Sequence, residues 1–248
     1  MILAAAQINP FRNNTAANIQ RHLQFIERAA ENNAQLILFP EMSLSGYERE
    51  LADGLSFTLD DERLNILSEK AKQHQMLIIV GAPVKIKNRL YIGAFIFAGD
   101  QTLRVYTKQF LHTGEEKYFS AGAHHNPILE LEKEIISVAI CADITNDRHA
   151  AKAAKNKTSL YLAGIFYTPG GMDKGFETLS GYSKKHSMKV LMANYCGSSY
   201  DMPGGGQSAF WDEKGVLKGQ LDASSEGLLL VEYKDKNWHT RKVSVGPH

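Results

Sequence analysis

Short apolar runs and helix-period segments alternate along most of this chain. The run Ile2 to Ile8 predicts a first strand. After the polar cluster Asn13-Asn14-Thr15, Ile19, Leu23, Ile26 and Ala30 recur at offsets of four, three and four, which is one face of a helix. Asn32-Asn33 stops that helix, and Leu36-Ile37-Leu38-Phe39 is continuously apolar, as strands covered on both faces are. Pro40 has no N–H to donate and closes the strand. Glu41 is therefore left just past the carboxyl end of a buried strand, where α/β sheets gather functional groups.

The alternation continues with a helix over 61–74 and a strand over 77–80. Strands over 91–97 and 103–106 form a hairpin turning at Gly99-Asp100, with Lys108 just beyond it. A polar loop covers 113–127, an apolar strand 135–140, and Cys141 is the next residue. Helix–strand pairs follow at 147–155 with 159–162 and at 172–186 with 190–194. The end of the chain is strands alone, at 207–211, 227–231 and 239–243. No linker, low-complexity segment or short-period repeat interrupts this, so the pattern predicts one α/β domain over 1–248. It does not give the strand order.

Composition narrows the possibilities. At 248 residues, 44% apolar and 22% charged, the chain reads as globular, and no stretch approaches the roughly 20 apolar residues that span a bilayer. The N-terminus lacks a basic region before its apolar run and reads as a strand rather than a leader, so a cytoplasmic location without membrane attachment is expected. A net charge of +1 without charge blocks argues against nucleic acid as a partner, and Lys184-Lys185 reads as solvated helix surface. Two cysteines, Cys141 and Cys196, are too few for a disulfide framework and are expected as free thiols.

Three candidate chemical groups sit at predicted strand ends: Glu41 in Phe39-Pro40-Glu41, Lys108 in Tyr106-Thr107-Lys108, and Cys141 in Ile140-Cys141-Ala142-Asp143. Singly, each has a plain structural reading: a helix N-terminal acid, a strand-end charge and a core thiol. Their order and surroundings resemble the carbon–nitrogen hydrolase, or nitrilase, superfamily. Ser45-Gly46-Tyr47 follows Pro40-Glu41, and Lys108-Gln109-Phe110-Leu111-His112 runs into Gly114-Glu115-Glu116-Lys117-Tyr118-Phe119 with Gly122 beyond. Further on, Asn194-Tyr195-Cys196-Gly197 and Gly206-Gln207-Ser208 are similar to the family's Asn-x-x-Gly and Gly-x-Ser stretches.

The resemblance implies a four-layer αββα sandwich of two mixed sheets, usually a homodimer or higher homo-oligomer. It implies acyl transfer through a thioester without metal or other cofactor. Cys141 would be the nucleophile, Glu41 the general base, and Lys108 with the backbone N–H of Ala142 the oxyanion donors. Glu115 would be the second glutamate that holds the lysine and substrate, with Glu116 the competing choice of register. Tyr47 and Tyr167 would touch substrate, and the loops over 47–57, 113–126 and 167–176 would decide its identity.

Cys141-Ala142-Asp143 looks more like the amidase, carbamoylase and ω-amidase branches than the Cys-Trp-Glu of true nitrilases. A small amide or N-carbamoyl compound is the expected substrate, releasing ammonia or amine. Nitrile hydrolysis, acyl transfer to an amine, and a catalytically silent metabolite- or protein-binding member are the alternatives. Two segments depart from the family. Residues 144–149 replace a Phe-Pro-Glu-like stretch, and residues 182–187 replace an Arg-Ala-x-Glu-Asn-like one. Asn146 or Asp147 can still cap a helix there. Asp143 reads as a structural cap of the next helix, with orientation of neighbouring backbone or of a substrate amine as the other reading. His124-His125 lacks metal-ligand spacing, and the Gly170-Gly171 segment lacks the Gly-Lys-Ser/Thr end of a phosphate loop and reads as a flexible loop near substrate.

Overall fold

The structure, a computed structural model, describes residues 1–122 and 124–246. The first half of the chain runs β1 (Ile2–Gln7), α1 (Thr15–Ala30), β2 (Leu36–Leu38), α2 (Asn65–His74), β3 (Leu77–Ile86), β4 (Arg89–Phe97) and β5 (Leu103–Thr107). The second half begins β6 (Leu129–Leu131), β7 (Glu134–Ile140), α3 (Asp147–Lys155), β8 (Leu160–Gly164), α4 (Met172–His186) and β9 (Lys189–Ala193). It closes with the short ladder β10 (Ser198–Ser199) and β11 (Met202–Pro203), then β12 (Ala209–Trp211), β13 (Leu217–Gln220), β14 (Gly227–Lys234) and β15 (Asn237–Val243).

Two mixed sheets result. The seven-stranded one has the order β15-β14-β1-β2-β3-β4-β5, and the six-stranded one the order β13-β12-β9-β8-β7-β6. In each, the middle three strands are parallel, β1-β2-β3 in the first and β7-β8-β9 in the second, and the remaining pairings are antiparallel. Side-chain alternation assigns the layers. Ala4, Ala6, Ile37, Phe39, Ile78 and Val80 pack with Ile19 and Phe25 of α1 and Leu67 of α2. Their neighbours Leu3, Ala5, Leu36, Leu38 and Ile79 turn the other way and join the core of the second sheet, which also takes in Ala150 of α3 and Leu179 of α4. The order is helices, sheet, sheet, helices: the expected αββα sandwich.

The helix boundaries follow local chemistry. Asn14 accepts the N–H of Ala17 at 3.1 Å to cap α1, and Asn146 accepts that of Arg148 at 3.1 Å to cap α3. The expected helix over 61–74 starts as a 3₁₀ turn at Glu62–Leu64, capped by Asp61, before α2 begins. β3 runs six residues past the expected end, because Gly81 to Ile86 pair back onto β4 through a tight turn at Lys87. The polar residues Lys85 and Lys87 concealed that extension. Residues 169–171 form a 3₁₀ turn and Met172 already opens α4, so the segment expected as a loop is helical over most of its length. Lys184 and Lys185 are exposed on α4, and no helix among the described residues is long and apolar enough to cross a membrane.

Strand ends deliver the site. Glu41 follows β2, Lys108 follows β5 and Cys141 follows β7, so the first sheet contributes two of them and the second sheet the third. At one point the sheets approach each other where glycine leaves room. A Cβ on Gly164 of β8 would lie 2.9 Å from the Phe39 carbonyl oxygen and 3.5 Å from the Glu41 nitrogen.

Candidate active site

Glu41, Lys108 and Glu115 form one buried ionic cluster. The Lys108 ammonium donates to Glu41 Oε1 at 2.6 Å and to Glu115 Oε1 at 2.7 Å, and all three side chains are fully shielded from solvent. Glu115 is held independently: its Oε1 also accepts the Tyr47 hydroxyl at 2.6 Å, and its Oε2 accepts the His112 N–H at 2.7 Å. Glu116, the competing register, instead accepts the exposed Gly114 N–H. The backbone carbonyl of Glu41 accepts the hydroxyl of Tyr195, which comes from the turn after β9, at 2.7 Å.

One carboxylate oxygen, Glu41 Oε2, is buried without a hydrogen bond among the described residues. The thiol of Cys141 stands beside this carboxyl, near enough to favour its ionised form. Cys141 opens the 3₁₀ turn Cys141–Thr145 with φ of +42°, a left-handed conformation that a side chain adopts only under constraint. The bend turns Sγ out of the sheet, 3.8 Å from the Phe166 carbonyl oxygen.

The electrostatics follow from one cation serving two buried carboxyls and a thiol. Burial pushes Glu41 up to about 7, with the charge of Glu115 adding to the rise and Lys108 opposing it. Burial likewise pushes the Cys141 thiol well above its ordinary value, reinforced by Glu41 and opposed by Lys108. Lys108 is disfavoured by burial, but Glu41, Cys141 and Glu115 outweigh this and raise its pKa, so it stays an ammonium. The resting state is a neutral thiol beside a carboxyl that titrates near neutrality, a pair between which one proton can move.

Asp143 shows how the strand ends are locked together. Its Oδ1 accepts the N–H groups of Gln109 at 2.9 Å and Phe110 at 2.8 Å, just after Lys108. Its Oδ2 accepts the Ile140 N–H at 2.9 Å, just before Cys141, and the Tyr106 hydroxyl at 2.5 Å. Tyr106 also meets His149 Nε2 at 2.9 Å, and His149 Nδ1 meets the Tyr161 hydroxyl at 2.7 Å. Burial holds the pKa of His149 down. Asp143 thus orients backbone rather than capping α3, because Asn146 takes the cap position expected of it. The two atypical segments meet: the Tyr182 hydroxyl donates to the Ile144 carbonyl at 2.9 Å.

A cavity of about 730 Å³ opens onto Cys141. Tyr47 and Tyr167 line it, while Ala142 is buried in the turn beside the thiol. Tyr167 is seated on α4, where a Cβ on Gly175 would come within 2.4 Å of its ring, and its N–H donates to Asn194 Oδ1 at 2.9 Å. The three loops expected to shape the pocket all contribute to its wall, although residue 123 in the second lies outside the described residues. Residues 145–147, from the atypical segment just beyond Cys141, join them. Phe166, whose carbonyl faces the thiol, carries no signal in the sequence, and Tyr195 is marked there only as part of the Asn194-Tyr195-Cys196-Gly197 stretch. Cys196 lies apart from the cluster; burial lifts its thiol to about 12.

The carbon-nitrogen hydrolase family model matches residues 2–240. The chain belongs to the carbon-nitrogen hydrolase family. Among solved structures, this chain resembles the NitN amidase of Nesterenkonia sp. AN1 with a TM-score of 0.85 at 22% identity, covering 95% of this chain and 93% of that one. It is 26% identical over 253 residues to a glutamine-dependent NAD(+) synthetase of Acinetobacter baylyi, covering 99% of this chain but only 46% of the synthetase. A probable nitrilase of Schizosaccharomyces pombe is 26% identical and matched nearly end to end, over 96% of this chain and 93% of its own length.

Proposed function

We propose that this hydrolase cleaves a small carboxamide or N-carbamoyl substrate through a thioester on Cys141. The observation that carries the reading is the free Oε2 of Glu41, buried beside the thiol while Oε1 is tied to Lys108. Glu41 Oε2 takes the thiol proton as Sγ bonds to the amide carbon. The former carbonyl oxygen then gains negative charge, stabilised by the Lys108 ammonium and the Ala142 N–H; one such donor is typically worth about 3 kcal/mol of barrier. Protonated Glu41 gives its proton to the departing amine as the C–N bond breaks, which leaves the thioester. Glu41 next accepts a proton from water, the oxygen attacks the thioester carbon, and Sγ leaves with the proton that Glu41 returns. Glu115 keeps Lys108 in place and charged throughout.

A base serves best with a pKa near the working pH, and the rise of Glu41 to about 7 supports this role. The test is incubation with a panel of small amides, with ammonia release and a covalent adduct followed by mass spectrometry. Cys141→Ala should abolish both, and a thiol reagent should label Cys141 before Cys196. Full activity in Cys141→Ala would overturn the assignment. A second reading, glutamine as the amide, is supported by the similarity to the glutamine-dependent synthetase over 99% of this chain; ammonia release from glutamine in preference to simple amides would favour it.

A further inference from the structure

Arg49 occupies the 3₁₀ turn Arg49–Leu51, two residues after Tyr47, and lines the same cavity as Cys141. Every carboxyl near it is engaged elsewhere. Glu48 pairs with Arg12 at 3.1 Å and accepts the Tyr200 N–H at 2.9 Å. Glu50 accepts the Tyr200 hydroxyl at 2.9 Å, and Glu115 is taken by Lys108 and Tyr47. Arg49 forms no salt bridge among the described residues, and its Nε is buried without a hydrogen bond. A guanidinium cannot shed its proton to relieve that cost.

Its orientation is nevertheless fixed. The guanidinium lies over the Tyr200 ring at 4.2 Å from the centroid and 5.6 Å from that of Tyr47. Stacking occupies the face of the fork, and apart from one side-chain hydrogen bond with Tyr200 its N–H edge stays available. That edge presents paired donors with the spacing of a carboxylate. Lys174, exposed on α4 and without a salt bridge among the described residues, adds a second cation to the cavity wall, where Asp147 is the one acid among the described lining residues.

The geometry points to Arg49, supported by Lys174, as a subsite for a carboxylate carried by the substrate at the end remote from the scissile amide. The substrate class is then a small amide with a terminal carboxylate and no ammonium group near it, since two cations would repel an ammonium. This assignment rests on the amidase reading for the position of the amide and deepens it.

The probes are glutaramate (the monoamide of glutaric acid), its neutral counterpart pentanamide, and glutamine. In a Cys141→Ala background, calorimetry reads binding without turnover. Glutaramate should bind at least about tenfold more tightly than pentanamide or glutamine. Adding Arg49→Met should erase most of that preference, Arg49→Lys should restore part of it, and Lys174→Met should reduce it less. Equal binding of glutaramate and pentanamide, or a preference that survives Arg49→Met, would overturn the subsite. The two readings fail separately. Tight glutaramate binding with no ammonia release from the intact protein sinks the amidase reading alone. Turnover of pentanamide with no preference for glutaramate sinks the subsite alone.

Discussion

The Tyr106 hydroxyl donates to Asp143 Oδ2 at 2.5 Å, joining the strand that leads into Lys108 to the turn that carries Cys141. The same carboxyl accepts three backbone N–H groups, from Gln109, Phe110 and Ile140. Cation and nucleophile come from different sheets, so this one side chain sets their separation. Asp143→Asn exchanges one acceptor for an NH₂ group that faces donors. It should cost about 2 kcal/mol of stability and lower kcat at least about tenfold through misplacement of Lys108 against Cys141. KM should change far less than kcat. Urea unfolding and steady-state kinetics check both, and Tyr106→Phe, which removes one bond of the set, should be milder.

Glu41, raised to about 7 by burial and by Glu115, should set the acid limb of the proposed amidase activity. The base must be ionised to take the thiol proton, so kcat/KM should rise with pH up to about 7 and level off above it. It should fall only when a second proton is lost, and both the thiol and Lys108 are raised above their ordinary ranges. A pH–rate profile between pH 5 and 10 tests this; a rate that declines from pH 6 to pH 8 would contradict it. Glu41→Gln should remove the limb together with nearly all activity.

His22 titrates in the opposite sense. It is fully buried on α1, stacked on Phe39 with ring centroids 4.2 Å apart, and bonded through Nε2 to Ser43 Oγ at 2.9 Å. Burial lowers its pKa from 6.5 to about 4. The unfolded chain therefore takes up the proton first, and the stability owed to neutral His22 is present above pH 6.5 and lost as pH falls toward 4. The loss between pH 7 and pH 4.5 should be about 2 kcal/mol. His22→Phe keeps an aromatic ring on Phe39 and removes the proton site. The difference between its urea-unfolding free energy and that of the natural protein should shift by this amount over the same pH interval, and a constant difference would refute the linkage.

Much of this arrangement was legible in the sequence because burial and chemistry left the same mark. Leu36 to Phe39 are apolar without a break since β2 is covered by helices on one face and the second sheet on the other. Glu41 and Cys141 could be placed because each comes just after such an apolar run, and Lys108 because it closes a hairpin. Arg49 could not: a cation in a polar loop looks the same whether a carboxyl neutralises it or not, and only the packing shows Glu48 and Glu50 turned to other partners. β6 and β13 were equally hidden, being short edge strands whose residues are partly exposed and lack clean alternation. The pairing of Tyr182 with Ile144 was out of reach for another reason, since it joins residues 38 positions apart through the packing of α4.

The floor under Glu41 is glycine on both sides, and the closer of the two should be the more sensitive. On Gly81 of β3 a Cβ would lie 2.3 Å from both the Met42 nitrogen and the Pro40 carbonyl oxygen. These are backbone atoms of the turn that carries Glu41, where Met42 is already at a φ of +50°, so the turn cannot yield without moving the carboxyl. Gly81→Ala should therefore cost about 2 kcal/mol through overpacking. A displacement of about 1 Å at Glu41 should lower kcat by about a hundredfold. Gly181→Ala on exposed α4, where a Cβ meets nothing within 4 Å, is the matched control and should leave kcat unchanged. Should Gly81→Ala lose stability without loss of kcat, the proton acceptor for Cys141 would have to be sought outside this turn.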